Sequence, residues 1–371
     1  MQLSYWEKER FFEQVDACVI GSGIVGLSTA IELKRQRPDW KVIILERGFL
    51  PYGASTRNAG FACFGSVSEL MDDFGRMGES QTIALVERRW RGLLNLRQLL
   101  GDQSIGLENF GGYELFDDAE RYELAADTIE KFNALLEAII GKQVYATNPS
   151  AVDHFGFNGF IGTIKNQFES QINTGEMMHA LLKLARKEGV IILNGIGVDQ
   201  VEGKCIVTTA GFSFEANAVI VTTNGFAKQL LPQLDVEPAR AQVLVTEPIP
   251  GLKFKGTFHF DEGYYYFRNI GTRILLGGGR NLDFAGENST NMIQTPIIQD
   301  RLEQMLFERI VPYAKPKIEM RWSGVMGVGE TRGPLVQKLN EHLYCAVRMG
   351  GMGVAIGSLV GKEVAALVVE N

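Results

Sequence analysis

Residues 17–46, "ACVIGSGIVGLSTAIELKRQRPDWKVIILE", leave this chain few folds to choose from. "ACVI" is a short apolar strand, and Gly21, Gly23 and Gly26 break it in the spacing G-x-G-x-x-G. Ile24, Leu27, Ala30, Ile31 and Leu33 then place an apolar stripe on one helix face. Pro38 follows the helix, and "KVIILE" has the unbroken apolar character of a strand covered on both faces. This is a strand–helix–strand unit. In such a unit the first glycine permits the tight turn, the second lets a pyrophosphate approach the backbone, and the third lets helix and strand close up. The free N–H groups at the start of the helix, at Ile24 and Val25, offer partial positive charge to a phosphate. Glu46 ends the second strand, placed to accept hydrogen bonds from ribose hydroxyls, with Arg47 beside it. Strand before, helix after and acid at the next strand end together read as dinucleotide binding.

The chain ends on the same grammar. In "RMGGMGVAIGSLVGKEVAALV", Gly350, Gly351 and Gly353, with Met352 between them, precede an apolar helix from Val354 onward. A nicotinamide needs one such turn. A flavin is longer, and its pyrimidine edge gains negative charge on reduction, so a second helix N-terminus aimed at that edge has a purpose. The segment "GASTRNAGFACFG", Gly53–Gly65, leans the same way. Ser55 and Arg57 can hold a pyrophosphate from the far side, while Asn58, Ala59 and Gly60 bring backbone against a flat ring.

Elsewhere, 80–100, 118–140 and 173–189 carry helical periodicity. Segments 189–224 and 240–280 read as strands, and a further helix is expected near 296–312. A chain of 371 residues accommodates two domains. The net charge of −7, with no cluster of Lys and Arg, speaks against a nucleic-acid partner. Four scattered cysteines and four histidines show no ligand spacing, so no metal is expected and a reducing compartment fits. Among the histidines His259 stands out, just upstream of a tyrosine-rich strand. Cys63 and Cys345 read as small buried hydrophobes. The charged, aromatic start is unlike a signal peptide, and no apolar stretch approaches the ~18 residues of a membrane helix, so a soluble cytoplasmic protein is expected.

Five separated motifs, in order, resemble the D-amino-acid-oxidase-like family of FAD-dependent oxidoreductases. They are "VIGSGIVGLSTAIEL", "GASTRNAGF", "GIGVDQVE" before "AVIVTTNGF", "PARAQVLVTEPI" before "GYYYFRNIGTRILLGGG", and "RWSGVMGVGETRGPLV" before "MGGMGVAIGSLVGKEVA". The resemblance runs nearly end to end, and it looks nearest to the glycine, sarcosine and gamma-glutamylputrescine oxidase types. It implies a mixed α/β and α+β fold. A Rossmann-type FAD-binding domain would be assembled from 1–75, 145–235 and 320–371, with a substrate lobe of mixed or antiparallel sheet and helices from 76–144 and 236–319. It further implies that Val198 meets the adenine side through its backbone, that Thr223, Asn224 and Gly225 approach the cofactor, and that the Gly350–Val354 turn faces the flavin.

On the strand "GYYYFRN", alternation sends Tyr264, Tyr266 and Arg268 to one face. These are the candidate substrate-side residues, although aromatics there can equally be core. Two departures from the family pattern bear on substrate. Met326 stands where amino-acid oxidases carry the arginine that clamps a carboxylate, and Gly351 stands where glycine oxidases have another. The covalent-flavin cysteine of sarcosine oxidases falls near Gly324–Val325, so FAD is expected to be held non-covalently. The expected activity is oxidation of the C–N bond of an amine or N-substituted amino acid to an imine, which hydrolyses to an aldehyde or keto acid. Electrons would pass to oxygen or a quinone. A D-amino-acid dehydrogenase and a flavin-dependent RNA-modification module are the alternatives, and an oligomer is compatible with the sequence.

Overall fold

The computed structural model describes residues 2–370. Two eight-stranded sheets organise them. The first runs in the order Leu335–Lys338, Leu343–Val347, Ser213–Val221, Val15–Ile20, Val42–Glu46, Ile191–Asn194, with the hairpin Val198–Glu202 and Cys205–Thr208 attached to Ser213–Val221. Its central strands are parallel: Val15–Ile20 pairs with Ser213–Val221 on one side and Val42–Glu46 on the other. All five residues of "VIILE" are buried, as expected of a strand covered on both faces.

The second sheet runs Ile318–Val328, Glu237–Thr246, Arg273–Gly278, Tyr265–Ile270, Thr257–Phe260, Gly112–Phe116, Gly162–Asn166, Tyr145–Thr147. It is antiparallel except where Thr257–Phe260 meets Gly112–Phe116. The sheets therefore cut across the boundaries expected from sequence. Residues 145–166 and residues 320–328 of the strand Ile318–Val328, expected with the cofactor domain, pair in the second sheet. The helix Glu79–Leu100, expected in the substrate lobe, packs in the same core as the first strand and helix.

Three helices meet at glycines. A Cβ on Gly92 would fall onto the Ala355 carbonyl oxygen and within 3.0 Å of Ile356 Cα. Gly357 and Gly361 of the C-terminal helix Gly353–Val369 press onto Ile24 and Ser28 of the helix Ile24–Gln36, where added Cβ atoms would come within 2.9 Å and 2.6 Å. The contacts advance in the same direction along both helices, from Ile24–Gly357 to Ser28–Gly361. The two helices therefore run parallel, and both N-termini open on the same side.

Candidate functional site

The first glycine turn is built by sterics. Gly21 holds φ +102°, a conformation that L side chains rarely adopt. Gly26 has no room for a Cβ, which would overlap the Gly21 carbonyl oxygen and lie 2.7 Å from Thr222 Oγ1. Gly26 therefore closes helix onto strand and does not face the cavity below it. Gly23 caps the helix with ordinary dihedrals, and a Cβ there would meet only Ser55 Oγ, at 2.8 Å. Ser55 Oγ accepts from the Ile24 N–H at 3.0 Å, so that hydroxyl already addresses the helix N-terminus.

Glu46 does more than wait for a ligand. One carboxylate oxygen accepts from the Ser22 N–H at 3.0 Å and the Ser22 hydroxyl at 2.9 Å; the other accepts from the Gly48 N–H at 2.9 Å. It braces the turn while 5% exposed. Ser22, an "x" of the motif, carries no signal in sequence. Arg47 stacks over Phe226 and Tyr52, its guanidinium 3.9 and 4.8 Å from the ring centres.

At the other end of the chain Gly350 and Gly351 hold φ of +58° and +85°. Asn224 pins this turn: its Oδ1 accepts from the Arg348 and Met349 N–H groups at 3.0 and 3.2 Å. Arg348, itself at φ +67°, anchors the turn to the Gly333 carbonyl at 2.8 Å, the Thr331 hydroxyl at 2.6 Å and Asp235. A Cβ on Gly225 would overlap the Met326 carbonyl oxygen, so Gly225 seats the 224–229 turn against Ile318–Val328. Asn58 turns its side chain inward, accepting from the Gly60 N–H at 2.9 Å and the Thr174 hydroxyl at 3.0 Å. Arg57 donates to the Ser323 carbonyl at 3.1 Å.

Both turns line one cavity of about 700 Å³, inside the roughly 300–1,000 Å³ usual for ligand sites. Of the residues singled out from sequence, Gly26, Gly225, Tyr264 and Arg268 do not line it; Val198, Thr223 and the others do. Tyr264 precedes its strand and sets its ring edge-on to Phe284, away from the cavity. Arg268 does lie on the Tyr266 face, but it is 6% exposed beneath Gly60, donating to the Ile172 carbonyl at 3.0 Å. Burial pulls its pKa down to about 10, partly offset by Glu108. It supports the Asn58–Gly60 loop from below.

Beyond the second turn the lining changes character. Phe61 stands edge-on to both His259 and Tyr266, at 5.2 and 5.7 Å, with Cys63 and Glu69 alongside. Burial pushes Tyr266 up to about 12 and keeps the Cys63 thiol protonated, reinforced by Glu169 and Glu69. His259 Nε2 meets Glu169 Oε1 at 2.5 Å. Burial alone would lower the His259 pKa, but Glu169, Glu69 and Glu114 outweigh it and raise it to about 9. Cys63, Glu169 and His259 bring donor atoms within 4.8 Å of one another. Ligands on a common tetrahedral ion stand roughly 3.3 Å apart or more, so the His259–Glu169 contact is a hydrogen bond.

The residues fit a long phosphate-bearing cofactor on three observations. Gly23 leaves a cradle that a Cβ would fill, two helix N-termini open into the cavity, and Thr223 Oγ1 is a buried hydroxyl with no partner among the described residues. A sheet with a parallel centre and two glycine turns over one cavity, roofed by a largely antiparallel sheet, is the layout of a dinucleotide-dependent oxidoreductase. The chain belongs to the DAO family of FAD dependent oxidoreductases, whose family model matches residues 16–367.

It is 23% identical to gamma-glutamylputrescine oxidoreductase of Escherichia coli, over 95% of this chain and 83% of that one. It is equally 23% identical to the probable oxidoreductase OrdL of Haemophilus influenzae, over 95% and 82%. Glycine oxidase of Geobacillus kaustophilus shares the fold with a TM-score of 0.76 at 21% identity, over 96% and 95% of the two chains. The chain is thus an FAD-dependent oxidoreductase of the amine and amino-acid oxidase kind. Among the described residues, no helix is long and apolar enough to cross a membrane.

Proposed function

We propose that this protein oxidises the C–N bond of an amine, or of an N-substituted amino acid, using FAD held without a covalent bond. The pyrophosphate would lie at the N-terminus of Ile24–Gln36, against the Gly23 backbone and the Ser55 hydroxyl. Glu46 would take the ribose hydroxyls, Val198 the adenine side, and Gly350–Val354 the flavin. When bound, FAD supplies the two-electron acceptor for hydride leaving the carbon next to nitrogen.

The observation that carries the substrate reading is the charge of the far chamber. Phe61, Tyr266 and His259, whose charge is offset by Glu169 behind it, share it with Glu69, and no arginine or lysine lines it among the described residues. The cavity's two arginines lie elsewhere: both have guanidinium groups within 5.7 Å of the Tyr52 ring centre. Met326 lies against Gly351, its sulfur 3.4 Å from where a Cβ would stand. A carboxylate entering here finds no bidentate partner, whereas an ammonium group finds Glu69 and aromatic faces. The similarity to gamma-glutamylputrescine oxidoreductase supports the same side of the choice.

The test is anaerobic stopped-flow reduction of the flavin by a panel of primary amines, N-methyl amino acids, glycine and D-alanine. Amines bleach fastest under this reading. Fast bleaching by glycine or D-alanine alone overturns it. Peroxide release in air, against reduction of a quinone, then identifies the acceptor.

A further inference from the structure

His259 and Glu169 form a pair that cofactor binding does not require. His259 is 6% exposed, lies at the end of the cavity remote from the phosphate turn, and sits directly across the sheet from Tyr266. Glu169 accepts from His259 Nε2 at 2.5 Å and from the Thr257 hydroxyl at 2.8 Å. A side chain on Gly112 would collide with Glu169, so the glycine makes the space in which that carboxylate stands. An ionised carboxylate only accepts, so Nε2 carries the proton of a neutral ring and Nδ1 is left as the site of proton exchange.

Behind the pair is a second cavity of about 10 Å³, room for a single water. His259, Glu169, Glu114 and Tyr145 line it. So does Asn166, which is 4% exposed and whose Nδ2 has no partner among the described residues. A proton arriving at the pair therefore has polar groups beyond it.

An amine held in the far chamber arrives as an ammonium ion, and an ammonium nitrogen has no lone pair to stabilise the carbon as hydride departs. We infer that His259, oriented by Glu169, is the acceptor of that proton. The N–H bond of R–CH₂–NH₃⁺ breaks, its proton bonds to the imidazole, and its electron pair stays on nitrogen. With that lone pair free, the carbon can release its hydrogen with its electron pair, for which FAD would supply the acceptor when bound, and nitrogen's lone pair would close the C=N bond of the iminium. The inference rests on the amine reading above. Glu169 is a positioning residue and His259 the catalytic one.

Among the described residues, the charged and titratable groups facing His259 are Glu169, Glu69, Glu114, Cys63 and Tyr266, with Tyr113 and Tyr145 across the small cavity. With the ring held near pKa 9, flavin reduction at saturating amine rises about tenfold per pH unit and levels off above about 9. In Glu169→Gln the largest charge raising that value is gone and burial pulls the other way, so the rising limb moves at least one unit toward acid. In His259→Asn that limb disappears and the plateau rate falls about 100-fold. Nitrogen-15 NMR of the FAD-loaded protein supplies a readout independent of turnover: His259 titrates near 9 in the parent and at least one unit lower in Glu169→Gln. The His259 signal is recorded without amine, so the substrate's own ionisation does not enter it. A rate limb and a His259 titration both unmoved in Glu169→Gln overturn the inference, as does His259→Asn reducing at the parent rate. Failure of any amine to bleach the parent flavin sinks the amine reading instead, a separate result.

Discussion

Gly23→Ala and Gly26→Ala differ by three positions and should fail in opposite ways. At Gly23 the backbone is ordinary, φ −70° and ψ −176°, so alanine adds no strain. The new methyl meets only Ser55 Oγ, the end of a side chain that can rotate. Rotation gives up the hydrogen bond to the Ile24 N–H, about 0.5–1.5 kcal/mol. The lower entropy of the unfolded alanine chain returns about 0.4–1 kcal/mol. The apo fold should therefore be nearly unchanged.

The cofactor is another matter, because the methyl occupies the space the pyrophosphate needs above the helix N-terminus. Displacing it from two charge-assisted N–H contacts at about 1.5–3 kcal/mol each costs about 3–6 kcal/mol, or about 10²–10⁴ in affinity. At Gly26 the same methyl would overlap the Gly21 carbonyl oxygen, which is backbone and cannot swing aside. Helix and strand must separate, and the apo protein should lose about 3 kcal/mol or fail to accumulate. Thermal melts of deflavinated protein and FAD titration by flavin fluorescence measure the two quantities separately. Gly23→Ala that binds FAD within threefold of the parent would falsify the phosphate assignment. Gly26→Ala with unaltered apo stability would refute the packing argument.

Glu46→Ala should weaken FAD binding about 10- to 100-fold and, unlike a residue that only contacts ligand, also lower the apo melting temperature, since Ser22 and Gly48 lose their acceptor; a change in affinity alone would mean the brace is unimportant. NADH should leave the flavin oxidised under anaerobic mixing. The second strand-and-glycine segment, Gly277–Asn281, leads into a one-turn helix whose Gly286 N–H is already taken by Asp283, and bleaching within seconds would reveal a nicotinamide site. The His259–Glu169 pair should also appear in stability. The folded pKa of about 9 lies above the unfolded value, so its contribution is complete below about pH 6.5 and is lost as pH rises through 9. Denaturant midpoints that fall over that window in the parent and stay level in His259→Asn are the expected result, and parallel profiles would show the pair does not titrate this way.

Sequence spacing picked out the two glycine turns that line the cavity because what dictates them is local. A glycine turn, the helix it opens and the acid on the next strand lie within 30 residues, and each is dictated by a backbone requirement that leaves few residue choices. Gly21 needs a positive φ, Gly26 needs no Cβ, and both requirements are visible as glycines. What those patterns conceal is the bracing. Ser22 holds Glu46 through an unremarkable motif position, and Asn224 holds the C-terminal turn from 124 residues away.

Alternation along "GYYYFRN" correctly grouped Tyr266 with Arg268, but it could not show that the strand begins at Tyr265 or that Gly60 roofs the arginine. Alternation gives the face of a side chain and is silent about what covers it. The substrate side is harder for a physical reason. His259 comes from a strand of the second sheet and Glu169 from a turn 90 residues earlier, with Phe61 supplied from the cofactor loop. No periodicity links the three, since their meeting is set by long-range strand pairing: Gly112–Phe116 lies between the His259 strand and Gly162–Asn166, and Phe61–Ala62 pairs with Ser170–Gln171 next to Glu169. A lone histidine before a tyrosine strand was therefore a weak signal until its carboxylate partner was in place. The partner changes the chemistry available, because a buried imidazole alone favours the neutral form, whereas one paired with a buried carboxylate can hold a proton and release it again. For the ammonium substrate proposed above, such a group is useful where this fold puts it, beside the aromatic chamber, and because the ring gives up its proton only toward pH 9, its use as an acceptor grows as the medium becomes more alkaline.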